Sequence, residues 1–326
     1  MLVTLAALVV VTILIGVSVG AVRISFGEVL AYLLGRGEST TSHYLILSQI
    51  RLPRVLLGLL VGYGLALSGG TMQGLFRNPL ASPYVLGVAS GASTGAALVM
   101  LLDLRSICFL PLGAFVGGAL AAGVVYGLAR GRARRTSVYT LILAGVAVGA
   151  LFSAVTSFVI YLSSGSERAT DVLFWIMGGL GRATWASLWV STPIILFCSV
   201  VILALSRDLN ALAMGEEGAF HLGIDPERSR RLLMGAATLL TSAAVAFSGT
   251  IGFVGLIIPH VMRLIVGPDH RFLLPATAVA GSIFLVWADM AARTVMSPAE
   301  LPVGIITAFF GAPFFLYLLK TRGSRV

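Results

Sequence analysis

Long apolar stretches, separated by short polar or basic segments, run along the whole chain. Stretches of roughly 20 residues that carry almost no charge are typical of helices that cross a membrane. Charged residues, glycines and prolines bound about ten of them, which we predict to be transmembrane helices. The predicted ranges are 3–22, 54–70, 84–102, 108–129, 138–162, 188–205, 232–248, 251–266, 272–291 and 303–320.

The composition supports an all-α polytopic membrane protein. Of 326 residues, 58% are hydrophobic and 11% are charged, whereas a soluble domain has about 25% charged residues. The net charge is +9, but the basic residues stand between the apolar stretches, as loop charges do, so no nucleic-acid partner is predicted. Met1 to Val22 has no basic leading region, so we predict a first span rather than a cleaved signal peptide. Its short start suggests that native residues precede it.

The distribution of the 22 basic residues predicts the orientation of the chain. Dense clusters at Arg130–Arg135 and Arg228–Arg231 fall on the same side as both termini, whereas Arg23 favours the opposite arrangement. Because basic residues accumulate on the cytoplasmic side of a membrane, we expect both termini in the cytoplasm of a cell-membrane protein.

Residues 163–187, on the outer side, contain an apolar run from Asp171 to Leu180 that is too short to span a membrane. One interpretation is a helix lying at the outer interface, with Trp175, Trp185 and Trp189 near the lipid headgroups. The other is a helix that lines a vestibule.

Residues 206–230, on the inner side, form the most soluble-looking segment and predict two short helices. Asn210 is expected to cap the first, Gly215 interrupts the segment, and Asp225 starts a new turn. The apolar residues here predict a surface that docks on a partner. They are Leu212, Met214, Phe220 and Leu222.

A short internal similarity predicts an inverted repeat. The segment Leu65-Ala-Leu-Ser-Gly-Gly70 resembles Val245-Ala-Phe-Ser-Gly-Thr250, and each is followed by glycines, aromatic residues and a proline. The helices before them run in opposite directions, so predicted helices 2–5 and 7–10 form the two halves. Ser68 to Pro83 is predicted to be irregular backbone that lines a path through the membrane.

Spaced glycines predict closely packed helices. The pairs are Gly58/Gly62, Gly87/Gly91, Gly113/Gly117 and Gly145/Gly149. Cys108 and Cys198 belong to different stretches and predict neither a disulfide framework nor a metal site.

Several types of chemistry are missing from the sequence. Lys320 is the only lysine and does not follow a glycine, so no phosphate-binding GxxxxGK[ST] loop exists and ATP hydrolysis is excluded. None of the four histidines stands in an HExxH motif. Asp289 is the one carboxylate in a predicted span, and Arg293 can pair with it on the same helical face. We therefore expect no enzyme, no cofactor and no metal, and an ion-coupled carrier has little support.

Longer motifs then identify a family resemblance. They are RLPR at 51–54, SGGTMQGLFRNPLASPYVLGVASGA at 68–92, LAGVAVGALFSA at 143–154, FWIMGG at 174–179, SGTIGFVGLIIPHVMRLIVGPDHR at 248–271, and ADMAAR with ELPVGIITAFFGAPFFLYLLK, which ends at Lys320. Over nearly its whole length the chain resembles the permease subunits of iron-siderophore, haem and vitamin B12 ABC importers, the FecCD-type family.

The resemblance implies a type II ABC importer permease fold, with one transmembrane domain over residues 1–326. It implies a homodimer with the path on its two-fold axis, two copies of a separate ATPase inside, and a soluble or lipid-anchored binding protein outside. The substrate would be a metal chelate (an iron-siderophore, haem or cobalamin), and the sequence does not decide which. The alternative is a stand-alone carrier or channel without an ATPase.

The same resemblance implies three sets of functional residues. Arg51, Arg54 and Arg293 match positions that face acidic side chains of the binding protein in the vitamin B12 type; lipid headgroups for Arg51 and Arg54, or Asp289 for Arg293, are the alternatives. ATPase coupling is assigned to Asn210, Met214, Gly215, Glu216, Glu217, Phe220 and Asp225. The inner gate is assigned to Asn78, Leu80, Thr136 and Ser137, for which plain turn chemistry is the alternative.

Overall fold

The computed structural model describes residues 2–20, 22, 24–35, 42–104, 108–130 and 138–322, and the regular elements in these ranges are helices. In chain order they are α1 (Leu2–Ser18), α2 (Phe26–Leu33), α3 (Ser42–Leu45) with a π-helical turn (Ile46–Arg51), α4 (Leu52–Leu75), a 3-10 turn (Pro83–Leu86), α5 (Val88–Leu101), α6 (Phe109–Ala129), α7 (Val138–Leu162), α8 (Glu167–Ile176), α9 (Trp185–Ala204), α10 (Ser206–Met214), α11 (Glu216–His221), α12 (Pro226–Ser248), α13 (Val254–Val266), α14 (His270–Thr294) and α15 (Val303–Arg322).

An apolar helix occurs at each predicted span, and six of them have spanning length. Within the described ranges, 6 helices are long and apolar enough to cross a membrane. They are Ser42–Leu75, Phe109–Ala129, Tyr139–Leu162, Trp185–Ala204, Pro226–Ser248 and His270–Thr294. Shorter apolar helices complete the predicted set: Ala7–Ser18, Val88–Leu101, Val254–Val266 and Val303–Tyr317. Successive spans cross the bundle in opposite directions. Followed in chain order, they place α2 and α8 at one end of the bundle, called the α8 end. They place α10 and α11 at the opposite end, called the α10 end.

The packing of the helices follows the predicted inverted repeat. Helix α4 of the first half packs on α14 of the second half. Correspondingly, α12 of the second half packs on α6 of the first half, and α4 and α12 also contact each other. Both halves have a short second helix, α5 or α13, preceded by a residue in the left-handed region. That residue is Gly87 with φ 72° in the first half and Phe253 with φ 67° in the second. The two halves thus share an element order, a packing partner and a backbone break.

The break in the first half lies later than predicted. We expected irregular backbone from Ser68, but α4 stays helical through Leu75. The Ser68 hydroxyl donates to the Ala237 carbonyl at 2.9 Å, so its hydrogen bond joins α4 to α12. A Cβ atom on Gly69 would overlap the backbone of Gly255, so this glycine allows α4 and α13 to cross closely rather than ending the helix.

Glycines also join α5 to α6. Gly91 faces the carbonyl of Gly117, and Gly95 faces that of Gly113, so closely that a Cβ atom on either would overlap the opposite backbone. The close packing predicted for the Gly113/Gly117 pair is therefore present.

Helix α2 lies in the segment that joins α1 to α3. Ser25 and Glu28 form a capping box at its start. His43 Nδ1 lies 2.8 Å from Glu28 Oε1, which connects α2 to α3. The hydrogen bonds from His43 and Ser25 lower the pKa of Glu28 to about 2.

Two of the three tryptophans in the second outer segment pack against the bundle, and the interfacial position of this segment stays a prediction. Helix α8 begins before the predicted range and ends at Ile176. Trp175 is buried in the core, and Trp185 Nε1 donates to the Ser48 carbonyl at 2.9 Å. Trp189 alone of the three is exposed. An indole reaches the headgroup region only if it faces outward, so Trp175 and Trp185 instead hold α8 and α9 against the bundle.

Candidate functional site

A buried ion pair joins α4 to α14 at the α8 end. Arg54 Nε lies 3.0 Å from Asp289 Oδ1 and 3.1 Å from Oδ2, and Arg54 Nη2 lies 2.9 Å from Oδ1. The Asp289 side chain is 1% exposed. Several short bonds between a planar guanidinium and one carboxylate hold both groups in a single geometry.

Arg293 completes the pairing of Asp289 and also contacts α1. Its Nε lies 3.1 Å from Asp289 Oδ2, so the pair expected from the four-residue spacing is present. Its Nη1 and Nη2 donate to the carbonyls of Val19 at 3.0 Å and Gly16 at 2.9 Å. One carboxylate thus neutralises much of the charge of two buried guanidinium groups.

Arg51 caps the end of α1. It donates to the carbonyls of Val17 at 3.0 Å and Ser18 at 2.7 Å, and to that of Val22. The last carbonyls of a helix have no partner inside the helix, so Arg51 and Arg293 supply donors to them. Sequence reasoning missed this role, because the acceptors are backbone atoms far away in the chain and leave no motif.

Glu300 is the solvent-facing member of the cluster, and sequence reasoning missed it too. Its Oε2 accepts from Arg54 Nη1 at 2.8 Å, and its side chain is 43% exposed. The structure therefore brings the three predicted docking arginines together at the α8 end. It also buries all three, and Arg54 is bonded to the exposed Glu300.

Two cavities open beside this cluster. The first, about 210 Å³, is lined by Arg54, Gly249 and Glu300 among others. The second is about 340 Å³ and is lined by charged residues that include Arg168. Trp175 and Arg182 line both. Helix α8 thus borders both cavities, and its role in lining a vestibule stays a prediction.

A partly apolar surface lies exposed at the α10 end. We call it the docking face after its predicted role, and define it as Met214, Glu216, Glu217, Phe220 and Leu222. Met214 is 73% exposed and Phe220 is 72% exposed. They border an open cavity of about 750 Å³ that Glu216 and Glu217 also line. The predicted exposure of Leu212 is wrong, because α10 turns this side chain into the core. Exposed apolar side chains with acidic neighbours, outside the apolar spans, are typical of a surface that binds a partner.

Gly215 forms the corner between α10 and α11. Its φ of 118° lies in a region that residues with a side chain rarely adopt. A Cβ atom there would meet nothing within 4 Å, so space does not limit the position. Any substitution at Gly215 therefore strains the backbone before it touches a partner.

Two polar contacts hold the docking face on the bundle. Arg230 Nη2 lies 2.6 Å from Glu216 Oε1. Asp225 caps α12, since its Oδ1 accepts from the backbone nitrogens of Glu227 at 3.0 Å and Arg228 at 3.1 Å. The new turn predicted at Asp225 is thus the start of a spanning helix.

Asn210 connects α10 to the start of α14. The prediction that it caps a helix is wrong, because it lies inside α10. Its Nδ2 donates to Asp269 Oδ1 at 2.7 Å, and its Oδ1 accepts from the His270 backbone nitrogen at 2.9 Å. Arg271 and Asn210 donate hydrogen bonds to Asp269 and hold the pKa of its carboxyl group well below the usual value. Helix α14 therefore runs from the support of the docking face to Asp289.

The predicted gate residues fall into two groups. Asn78 Oδ1 accepts from the Leu80 backbone nitrogen at 2.9 Å, in a turn that follows α4 at the α10 end. Both side chains are exposed. Thr136 and Ser137 lie outside the described residues.

Known proteins resemble this chain over most of its length. The FecCD transport family matches residues 8–321. The cobalamin import system permease protein BtuC of Halobacterium salinarum is 48% identical over 280 residues, which cover 86% of this chain and 74% of that protein. The hemin transport system permease protein HmuU of Yersinia pestis is 39% identical over 314 residues, which cover 94% of this chain and 92% of that protein.

A solved structure agrees with the same assignment. An inward-facing conformation of a metal-chelate type ABC transporter superposes with a TM-score of 0.83 at 36% identity, and the match covers 98% of each chain. Combined with the match to residues 8–321, these similarities establish the family. The chain belongs to the FecCD transport family and is a membrane permease subunit of an ABC importer, which works with an ATPase and a binding protein carried on separate chains.

Proposed function

We propose that two copies of this chain form the membrane path of an ATP-driven importer that passes a metal chelate from an external binding protein into the cytoplasm. The observation that carries the proposal is the docking face, where Met214 and Phe220 stand exposed on short helices beside acidic residues. The basic clusters favour a cytoplasmic position for the α10 end and both termini. Each copy would then present its docking face to one ATPase subunit.

The contacts of Asn210 suggest how movement of the ATPase reaches the path. Closure of two ATPase subunits around ATP would shift α10 and α11. Because Asn210 is bonded to Asp269 and His270, α14 would follow. Helix α14 packs along α4, and Arg54 fastens the two helices at their other end. Rocking of the two copies about their axis would open the path, with Asn78, Leu80, Thr136 and Ser137 as the proposed gate at the inner side.

A stand-alone carrier has less support. Coupling to an ion gradient usually needs an ionisable group inside the membrane that can change its charge. Asp289, the one carboxylate in a predicted span, is bonded to both Arg54 and Arg293. Both of its carboxylate oxygens already pair with guanidinium groups, so it offers a coupling ion no free oxygen.

Exposed apolar faces on two helices support the homodimer. On α7, Tyr139, Leu143 and Val146 repeat on one side and are exposed, as are Phe309 and Phe310 on α15. These faces suit lipid or a second copy of the chain. We assign part of them to the second copy, because a path on a two-fold axis must be enclosed by both copies.

Cobalamin is the first substrate to test and haem is the second. The cobalamin permease described above is 48% identical, and the hemin permease is 39% identical. In a host strain without its own cobalamin permease, co-expression of the chain with its ATPase and binding protein should restore uptake of labelled cobalamin. Haem uptake without cobalamin uptake would reassign the substrate. Uptake of none of cobalamin, haem and ferric siderophores would contradict transport of a metal chelate.

The docking role of Arg51, Arg54 and Arg293 stays a prediction, and the structure changes how it can be tested. Charge reversal would place a carboxylate in the buried cluster and disturb the fold. A carboxylate of the binding protein would reach Arg54 by taking the place of Glu300, which is 43% exposed. Glu300 would then compete with the partner.

We therefore expect Glu300→Gln to strengthen association with the binding protein. An exposed ion pair contributes below about 1 kcal/mol, so the dissociation constant should fall by up to about fivefold at low salt. Surface plasmon resonance on the detergent-purified permease measures it, with Glu167→Gln on α8 as a matched control. Equal dissociation constants for Glu300→Gln and the unaltered chain would show that Arg54 is not part of the surface that binds the partner.

A further inference from the structure

A cavity of about 230 Å³ lies between α6 and α12 towards the α10 end, on a part of the surface that the proposed transport cycle does not use. Its walls are largely apolar and include Ala122 and Met234. Gly123 on α6 and Gly235 on α12 also line it. Both helices are candidate spans, so the cavity opens towards lipid rather than towards water.

Packing within the chain does not require either of these two glycines. A Cβ atom on Gly123 or on Gly235 would meet nothing within 4 Å, whereas Gly113 and Gly117 on α6 touch the backbone of α5. Glycine inside a helix costs roughly 1 kcal/mol relative to alanine. Contacts within the chain explain that cost for Gly113 and Gly117 but not for Gly123 and Gly235. Their effect is to leave room for a molecule that is not part of the chain.

Three polar side chains line the cavity. The Tyr126 hydroxyl faces Glu227 Oε1 at 3.5 Å, and the other two, Arg231 and Thr238, indicate what that molecule carries. Arg231 lines the cavity at its α10 end, and the described part of the chain offers it no carboxylate partner. The carboxylate of the nearby Glu227 lies 3.6 Å from the guanidinium of Arg230, and this pairing offsets the negative charge of Glu227. Deeper in the membrane Thr238, 7% exposed, also lines the cavity, and its hydroxyl has no hydrogen-bond partner among the described residues.

The spacing of these groups suits a phospholipid. Arg231, Gly235 and Thr238 lie on one face of α12, and the rise of a helix places the first and last about 10 Å apart along the membrane normal. An anionic phospholipid has a phosphate for the cation, ester carbonyls below it for a buried donor, and acyl chains for apolar walls. Basic pockets between spans on the cytoplasmic side are known to select anionic headgroups.

We propose that the groove between α6 and α12 is a binding site for one anionic phospholipid. Its phosphate pairs with Arg231, an ester carbonyl accepts from Thr238, and an acyl chain lies over Gly123 and Gly235. Bound lipid would fasten α6 to α12, the helix that starts directly after the docking face. The proposal does not depend on which chelate is carried.

Native mass spectrometry of the detergent-purified permease tests the site with phosphatidylglycerol and phosphatidylcholine of identical acyl chains. We expect about a fivefold preference for phosphatidylglycerol, the ratio expected for one basic side chain near a membrane surface. Arg231→Gln should remove the preference, and Gly235→Leu should reduce retention of both lipids by filling the groove. Arg228→Gln is the matched control, because Arg228 is exposed one turn earlier on α12 and does not line the cavity.

Three outcomes would overturn the site. One is equal retention of the two lipids by the unaltered chain. Another is a preference that survives Arg231→Gln, or that Arg228→Gln removes equally. The third is displacement of phosphatidylglycerol by inorganic phosphate alone, which would indicate a site for a free anion rather than for a lipid. Thr238→Val, nearly the same size, should weaken retention without affecting the fold, which separates loss of the site from misfolding.

Discussion

Asp289→Asn is expected to destabilise the permease more than any other single polar substitution near the α8 end. Asparagine keeps the shape of the side chain but removes the charge that faces Arg54 and Arg293. Removing one partner of a buried ion pair costs about 3–5 kcal/mol, because the opposite charge stays buried without compensation. Thermal or denaturant unfolding of the purified protein in detergent measures the loss, together with the yield of monodisperse protein.

Glu300→Gln is the matched control for this experiment. Glu300 also bonds to Arg54 at 2.8 Å, but its side chain is 43% exposed. Loss of an exposed pair costs at most about 1 kcal/mol, since water replaces the missing partner. If Asp289→Asn and Glu300→Gln destabilise the protein equally, the buried cluster does not hold α4 to α14 as described.

Replacing Met214 and Phe220 by aspartate is expected to separate the permease from its ATPase. Both side chains are more than two-thirds exposed, so charge on them should leave the fold intact. In an interface, the same two carboxylates would be buried without partners, and truncation of central anchors alone commonly costs about 2 kcal/mol or more each. Co-purification of the ATPase should fall by at least about tenfold, the change expected for a loss near 1.4 kcal/mol.

The matched control places aspartate on an exposed apolar residue at the α8 end of the bundle. Leu34 follows α2 and is 61% exposed. Leu34→Asp should leave co-purification of the ATPase unchanged. Loss of the ATPase in Leu34→Asp, or its full retention in the double variant at Met214 and Phe220, would contradict the assignment of the docking face. This pair of side chains is a sharper probe than Gly215, where backbone strain accompanies any substitution.

The spans could be predicted because their signal is local. Apolar length and bounding charges mark each helix separately, and the short similarity around Ser68 and Ser248 was enough to predict the repeat. The sequence pattern could not show whether a glycine breaks a helix or lets another helix approach. Gly69 lets α13 approach α4, because the backbone of Gly255 lies against it. Gly255 belongs to the other half of the chain, so no local pattern connects the two glycines.

The site was harder to predict because its contacts join distant segments. The resemblance singled out Arg51, Arg54 and Arg293 as contacts for the binding protein, whereas their partners within the chain are α1 carbonyls, Asp289 and Glu300. Backbone acceptors have no sequence signature, and Glu300 is an ordinary acidic residue of a connecting segment. In contrast, Met214 and Phe220 were predicted from their apolar character within a polar segment, since that mismatch is itself local.

ATP dependence of transport tests the central claim most directly. Proteoliposomes that contain the chain and its ATPase, with the binding protein and labelled cobalamin on the outer side, should accumulate cobalamin only when ATP is hydrolysed inside. A non-hydrolysable ATP analogue inside the same vesicles should not support accumulation. Vesicles that contain the chain without its ATPase should not accumulate cobalamin either. Equally fast cobalamin uptake by the chain alone, with or without ATP, would identify a stand-alone carrier or channel and contradict the account.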